Sequence, residues 1–485
     1  MRVLFLSKSI AFEQEPLGIM LLSALLKKAG HETHAINIDK ISDLRAEIEH
    51  IAPDILAYSL VSNNHREFID RNSEIKSWFK GLSVFGGPHP TYFPEMIEEE
   101  GVDVICRGEG DDAMVELADA LRQGGDFTRI SNLWVKHGGQ IHRNDPRPLI
   151  EDLDRLPFPD RDLVPGLLEN EVRGTSFVMT GRGCPFDCSY CYNHLARKVA
   201  PGKYVRRRSV ANVIAELKEV KARCGTRLFS FQDDTFTMHP KWLAEFAEVY
   251  AREIGLPYVC HGRADLIDDA MAEILARSGC VLACVGLESG NDHLRRNILD
   301  RQISREDLLR TSRALHKYGI NILTQNMIGI PHETIDTVLE TIGLNYQCQP
   351  EMMQISLYAP YPSTKLGRYA CEHGFFDGRF DNYPQSYYEA LPLRLENKTD
   401  LLMLSRLANP CLDFRYYFKA VKIASRLPRP LRRLAYALLE KKAQSLRQQG
   451  RGRNSRWRNW DYYQTARNPF QTPPTASEPQ DKSVS

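Results

Sequence analysis

Two runs of alternating strand and helix patterns, parted by a proline-rich stretch, set the fold class of this chain. In residues 1–125 the short apolar strands are Arg2–Leu6, Thr33–Ile38, Ile55–Ser59, Ser83–Phe85 and Asp103–Cys106. Helical spacing lies between them: Leu17–Ala29 stops at Gly30, and Ile41–Ile51 closes at Pro53. Such alternation predicts a Rossmann-like, doubly wound parallel sheet with helices on both faces. Sheets of this kind bind ligands at the carboxyl ends of their strands. Those ends are Ser59–Asn63, Gly86–Thr91 and Gly108–Gly110, all polar or glycine-rich. Asn132–Val135 and Gln140–Arg143 flank His137-Gly138-Gly139 as a hairpin. Asp145–Pro165 carries Pro146, Pro148, Pro157, Pro159 and Pro165 and reads as an extended linker.

The second run has candidate strands at Ser176–Thr180, Arg227–Phe231, Tyr258–His261, Leu282–Leu287, Asn321–Ile328 and Met352–Leu357. Six β/α units in about 185 residues predict a partial (β/α)6 barrel of TIM type, with chemistry at the C-terminal strand ends. From Asp413 the pattern turns helical and then polar, and Pro469–Ser485 reads as a disordered tail. The expected division is 1–143 for the first domain, 144–170 for the linker, 171–375 for the barrel, 376–468 for a mostly helical region and 469–485 for the tail.

Composition narrows the class. Lys and Arg number 63 against 62 Asp and Glu, which argues against binding nucleic acid by overall charge. No run of apolar residues is long enough to span a membrane. Val3–Leu6 is too short and too lightly charged for a signal peptide, so a cytoplasmic location is expected. In a reducing compartment, clustered cysteines among the 11 present are better metal ligands than disulfide partners.

The cluster is Gly183-Cys184-Pro185-Phe186-Asp187-Cys188-Ser189-Tyr190-Cys191, just after the first barrel strand. Three soft thiolates at this spacing suit three irons of a cubane iron–sulfur cluster and leave the fourth iron open. Structural cysteines, or a zinc site closed by His194, are the competing readings.

Cys184, Cys188 and Cys191, with Tyr190 before the third, resemble the signature of the radical S-adenosylmethionine superfamily. The later segments Gln232–Phe236, His261–Asp265, Gly286–Gly290, Gly329–Thr334 and Pro360–Thr364 resemble strand-end segments of the branch with an N-terminal cobalamin domain. The sixth reads Pro-Ser-Thr where that branch often has Pro-Gly-Thr. The resemblance spans roughly residues 1–375. It implies a [4Fe–4S] cluster on the three cysteines, S-adenosylmethionine bound through the open iron, and a 5′-deoxyadenosyl radical that removes a hydrogen atom from substrate. It also implies an electron donor such as flavodoxin or ferredoxin.

Glu288 and Arg263 are candidates for the ribose or methionyl carboxylate, since arginine offers a bidentate fork. Barrel-mouth salt bridges are the alternative. Ser289 adjoins Glu288 in the same segment. Asp233 and Asp234 either contact cofactor or substrate or cap the next helix. In the first domain Ser59, Gly86, Gly87, Pro88, His89, Gly108 and Glu109 resemble corrin-facing loops; ligand-free tight turns are the alternative. No Asp-x-His-x-x-Gly segment is present, so cobalt without a protein histidine is expected. His31, His34, His65 and His89 read as surface or loop residues.

The resemblance implies an enzyme, a cobalamin-dependent methyltransferase acting on an unactivated carbon. Oxidative cyclisation or ring rearrangement with the same cofactors is the alternative within enzymes, and a cobalamin carrier or sensor the alternative outside them. Methylthiotransferases are disfavoured, because only Cys106 precedes Cys184. Cys224, Cys260, Cys280 and Cys284 read as barrel core. Residues 415–467 hold 15 Lys and Arg against Glu440 and Asp461. Leu431, Leu434, Leu438, Leu439 and Leu446 fall near helical spacing there, and Trp457, Trp460, Tyr462 and Tyr463 follow. This is either a helix packed by its leucines on the barrel or an interfacial element meeting anionic lipid, which would suit an apolar substrate. Nucleic acid is not expected as a partner.

Overall fold

The computed structural model describes residues 1–8, 15–163, 174–380, 387–388, 390–414 and 416–449. The first sheet has seven strands: β1 Arg2–Ser7, β2 Glu32–Asn37, β3 Ile55–Ser59, β4 Leu82–Gly86, β5 Val104–Cys106, β6 Leu133–His137 and β7 Gln140–Arg143. Their order is β2-β1-β3-β4-β5-β6-β7, with β1 to β5 parallel and the hairpin β6–β7 antiparallel at the edge. Strand periodicity explains the double winding, since successive side chains point to opposite faces. Val3, Phe5, Ile55 and Ala57 pack with the helices Leu17–Lys28 and Asp111–Gln123. Leu4, Leu6, Leu56 and Tyr58 pack on the other face with Leu44–Ile51 and His65–Lys76. Each fully buried Leu, Val or Phe contributes about 1.5–3 kcal/mol, so neither face can be left open to water.

The helix expected from Ile41 starts only at Leu44. The Asp43 side chain accepts from Ala46 N at 3.0 Å and caps it there. The hairpin turns on Gly138 and Gly139, both left-handed (φ 59° and 77°), as a two-residue turn of matching twist requires.

Residues 145–163 are less a free linker than a packed strap. Ile150, Leu153 and Leu163 are buried, and Arg161 is held by Glu15 and Glu216, the latter at 3.0 Å, while it donates to Phe177 O at 2.8 Å. The remainder of the expected linker, 164–170, lies outside the described residues.

The second unit contains β8 Thr175–Val178, β9 Gly181–Arg182, β10 Arg206–Arg207, β11 Leu228–Phe231, β12 Tyr258–Gly262, β13 Cys280–Glu288, β14 Asn321–Ile328 and β15 Met352–Leu357. Six of these form one parallel sheet in the order β15-β14-β13-β12-β11-β8, and β9 pairs with β10 apart from it. Helices Val210–Arg223, Pro240–Glu253, Asp269–Arg277, Arg305–Lys317 and Ile335–Cys348 alternate with the strands. This is the partial barrel. Its inner face borders a cavity of about 710 Å³ lined by Ser230, Gln232, His261, Gln325, Gln354 and Arg406, among others. Cys260, Cys280 and Cys284 are core residues as expected, whereas Cys224 is exposed because it ends a helix.

Three helices follow: Lys398–Asp413, Tyr417–Ser425 and Arg429–Gln448. They share a core with β14 and β15 through Ile328, Met353, Leu404, Val421 and Tyr436. Residues 450–485, with Trp457, Trp460 and the expected tail, lie outside the described residues.

At Pro-Ser-Thr, Ser363 sits at φ 63°, a left-handed conformation that costs a side chain roughly 1–2 kcal/mol. Ser363→Gly is therefore expected to raise unfolding stability by ~0.5–1 kcal/mol, measured by denaturant titration.

Candidate functional site

The cysteine loop leaves β9 through Gly183, which is left-handed (φ 89°) and pressed against Tyr204; a Cβ there would lie 2.5 Å from the Tyr204 carbonyl oxygen. The loop is tied to the barrel mouth at its middle. Ser189 N and Oγ donate to Leu299 O (2.9 Å) and Ile298 O (2.6 Å), and Leu366 N donates to Ser189 O (2.9 Å).

The three sulfurs have distinct neighbours. Cys184 Sγ lies 3.9 Å from Thr235 Oγ1, and Cys191 Sγ accepts from Asn193 Nδ2 at 3.4 Å. Cys188 Sγ receives two guanidinium donors, Arg263 Nη1 and Arg301 Nη1, each at 3.7 Å. Burial pushes the Cys191 thiol up to about 11 and raises Cys184 too. Deprotonation of these thiols therefore calls for a cation, as metal binding supplies. Among the described residues no group of three His, Cys, Asp or Glu side chains is arranged around a single metal ion. Three thiolates, one for each of three irons, are a donor set that a polynuclear iron–sulfur cluster can use. His194, the fourth zinc ligand considered, instead accepts from Lys365 N at 3.3 Å.

Behind Cys188 lies a buried group of charges. Arg301 Nη1 donates to Tyr190 Oη (3.3 Å) and Nη2 to Gly286 O (2.8 Å), while its Nε is buried without a hydrogen-bond partner. Burial raises the Glu288 carboxyl above its ordinary range, and Arg301 and Tyr190 pull it back only in part. Glu288 itself is left-handed (φ 64°), at a register shift where β13 meets β14. A strained residue held in a buried site marks a place where position matters more than local stability. Arg263 stacks over the Phe186 ring at 3.6 Å and pairs with Asp265 at 2.8 Å.

Other candidates stand elsewhere. Asp233 has both oxygens engaged by Thr180, Oγ1 at 2.6 Å and N at 3.1 Å, with Arg207 at 3.8 Å. Ser289 is fully buried; its Oγ accepts from Asn291 N (3.3 Å) and its carbonyl from Arg295 (2.6 Å).

At the strand ends of the first sheet a cavity of about 380 Å³ opens between the two units. Ser59, Gly86, Gly87, Gly108 and Glu109 line it from one side, and Met179, Gly181 and Arg182 from the other. Pro88 and His89 are not among its lining residues. Against expectation, His31, His65 and His89 are buried. His89 stacks on His65 at 4.0 Å, lies 3.2 Å from Ser62 Oγ, and is pushed down to about 3 by burial. His34 is half-buried beside Glu32. No histidine lines this cavity among the described residues.

Glu109 joins the units. Arg206 grips it with two donors (2.6 and 3.0 Å), Arg182 adds a third contact at 2.9 Å, and Arg182 also forks onto Asp111 (2.9 and 3.0 Å). Burial opposes charge on Glu109, but the two arginines hold its carboxyl below the ordinary range. Arg182 is signalled in the sequence only by its place before Gly183-Cys184. Arg206 and Arg301 carry no sequence signal, because they arrive from distant segments.

Glu333, at the fifth strand end, accepts from Gly329 N, while its Oε1 is buried without a partner. Burial pushes this carboxyl up to about 8, against the pull of the Gly329 and Ile330 amides. A raised carboxyl favours the neutral form, so its stabilisation is complete below the ordinary 4.5 and is lost as pH rises through about 8. Glu333→Gln keeps the acceptor and cannot ionise. Its Tm should match the parent at low pH and exceed it at pH 8 by on the order of a few degrees, followed by thermal melts across this range.

The chain matches known families over both units. Residues 178–344 match the radical SAM superfamily, and residues 4–118 match the B12 binding domain. A B12-binding module joined to a radical SAM barrel is the class that fold and site define. The chain carries both modules found in the cobalamin-dependent radical SAM enzymes. It is 29% identical over 368 residues to an uncharacterized methyltransferase of Pyrococcus horikoshii, covering 73% of this chain and 78% of that one. It is 26% identical over 400 residues to the anaerobic magnesium-protoporphyrin IX monomethyl ester cyclase of Rubrivivax gelatinosus, covering 76% and 69%. In fold it resembles the radical S-adenosylmethionine methyltransferase TsrM of Kitasatospora setae, solved with cobalamin and a [4Fe-4S] cluster. There the TM-score is 0.63 at 18% identity, over 77% of this chain and 74% of that one. No helix among the described residues is long and apolar enough to cross a membrane.

Proposed function

We propose that this enzyme methylates an unactivated carbon of a small-molecule substrate, using a [4Fe–4S] cluster, S-adenosylmethionine and cobalamin. One observation carries the reading: Arg182, which leads into the cysteine loop, is also clamped by Glu109 and Asp111 at the strand ends of the B12-binding module. When bound, the three cofactors supply an electron, a hydrogen-abstracting radical and a transferable methyl group. The residues of the chain place them. Cys184, Cys188 and Cys191 hold the cluster, and Arg263 and Arg301 donate to the Cys188 sulfur and fix its place. Glu288, Tyr190 and the free donors of Arg263 are assigned to S-adenosylmethionine. Asp233 and Ser289 act behind them, Asp233 fixing Thr180 before the loop and Ser289 fixing the turn after Glu288. Ser59, Gly86, Gly87, Gly108 and Glu109 form the corrin side, with Pro88 and His89 supporting the loop from behind. Cobalt is assigned no protein imidazole, because the sequence has no Asp-x-His-x-x-Gly segment.

The substrate is assigned to the cavity inside the barrel, and a flavodoxin or ferredoxin supplies electrons. A peripheral contact with the membrane would bring an apolar substrate within reach. The second reading, oxidative cyclisation or rearrangement without methyl transfer, is favoured by the likeness to the Rubrivivax cyclase. Feeding methionine labelled in its methyl group and comparing metabolites by mass spectrometry, with and without the protein, separates the two. A product heavier by one labelled methylene supports methylation; an unlabelled product lacking hydrogens sinks it.

A further inference from the structure

The helix Arg429–Gln448 carries two apolar stripes on different faces. Tyr436, Leu439, Ala443 and Leu446 belong to the core shared with the barrel. Leu431, Leu434 and Leu438, three and four residues apart and therefore on one face, are 55%, 58% and 60% exposed. Packing on the barrel accounts for only the first stripe. Ile423, on the preceding helix, is 57% exposed. Exposed Lys419, Lys422, Arg426, Arg429, Lys441 and Lys442 lie on the same two helices. None of these six makes an ion pair with a carboxylate among the described residues, whereas Arg432 and Arg447 are spent on Asp400 and Asp413.

We propose that this face docks on an anionic bilayer, with the leucines at the acyl boundary and the lysines and arginines among lipid phosphates. Exposed leucines beside a basic rim are the composition of an interfacial helix. Charge decides between lipid and a second copy of the chain. The six unpaired cations share their two helices with a single acidic residue, Glu440, so pairing two such faces sets like charge against like, whereas anionic phosphates neutralise it. The inference is independent of the reaction catalysed, and its test reads no activity.

Flotation of the full chain with phosphatidylcholine vesicles, with and without phosphatidylglycerol, is the experiment. The protein should float with the anionic vesicles at low salt, stay down with neutral ones, and be partly released by salt. Leu431→Ser/Leu434→Ser/Leu438→Ser should lower partitioning about a hundredfold. Lys441→Glu/Lys442→Glu should lower it about tenfold or more. Both variants should keep the parental melting transition by circular dichroism, because the replaced side chains are exposed. A protein that stays down with anionic vesicles overturns the proposal. So does a leucine variant that floats as well as the parent, and so does a lipid-free dimer that the leucine variant splits, which would make a second copy the occupant.

Discussion

Replacing Cys184, Cys188 and Cys191 together with alanine should leave a protein that binds cobalamin normally but forms no 5′-deoxyadenosine from S-adenosylmethionine under reducing conditions. The thiols contribute little to the fold. Their sulfurs make only long contacts, 3.4–3.9 Å, and the loop is anchored instead through the Ser189 backbone and hydroxyl. The cavity at the B12-binding module is not lined by any of the three. Anaerobic reconstitution followed by iron and sulfide analysis, chromatography of nucleoside products and the cobalt absorption spectrum measure the three properties separately. Reductive cleavage persisting in the triple variant would remove the cysteines from the mechanism.

Arg301→Met should be nearly as damaging, by a different route. The guanidinium is buried between Cys188, Tyr190 and Gly286, with Glu288 beside it. Burial works against its charge, yet Tyr190, Glu288 and Cys188 raise its affinity for the proton. Removing one partner of such a buried group typically costs about 3–5 kcal/mol, because the remaining charge is stranded. The expected result is a cluster that still assembles with altered electron paramagnetic resonance, and turnover reduced by about a hundredfold or more. Arg301→Lys should recover part of this, since it restores the charge but not the fork to Tyr190 and Gly286. A Met variant with parental spectrum and rate would make Arg301 a bystander.

The two α/β units were legible because their parallel strands are short runs, mainly apolar as in Ile55–Ser59 or interspersed with polar residues as in Asn321–Ile328, each followed by a helical pattern. Asn321–Ile328 and Met352–Leu357 begin and end in the structure where the residues alone placed them. The cysteine loop was legible because its chemistry lies within nine consecutive residues. The pieces that complete the site were not. Arg301 lies 113 positions from Cys188, and Glu109 lies 97 from Arg206; only the closure of the barrel and the docking of the two units bring them together. Histidines misled for a related reason. A single imidazole carries no periodic pattern, so nothing in the sequence distinguished His89, stacked on His65 under the loop, from a surface residue. The second leucine stripe of the last helix was visible as spacing, but which stripe faces the barrel depends on where Tyr436 and Ala443 pack.

The ion-pair clamp through Glu109, Asp111, Arg182 and Arg206 also bears on traffic. Parting the two units around a large ligand would strip Arg206, itself almost fully buried, of its carboxylate. A corrin seated between the units would accordingly be a resident, retained from one turnover to the next. The smaller molecules are visitors. Their passage need not disturb the clamp, because none of its four residues lines the cavity inside the barrel.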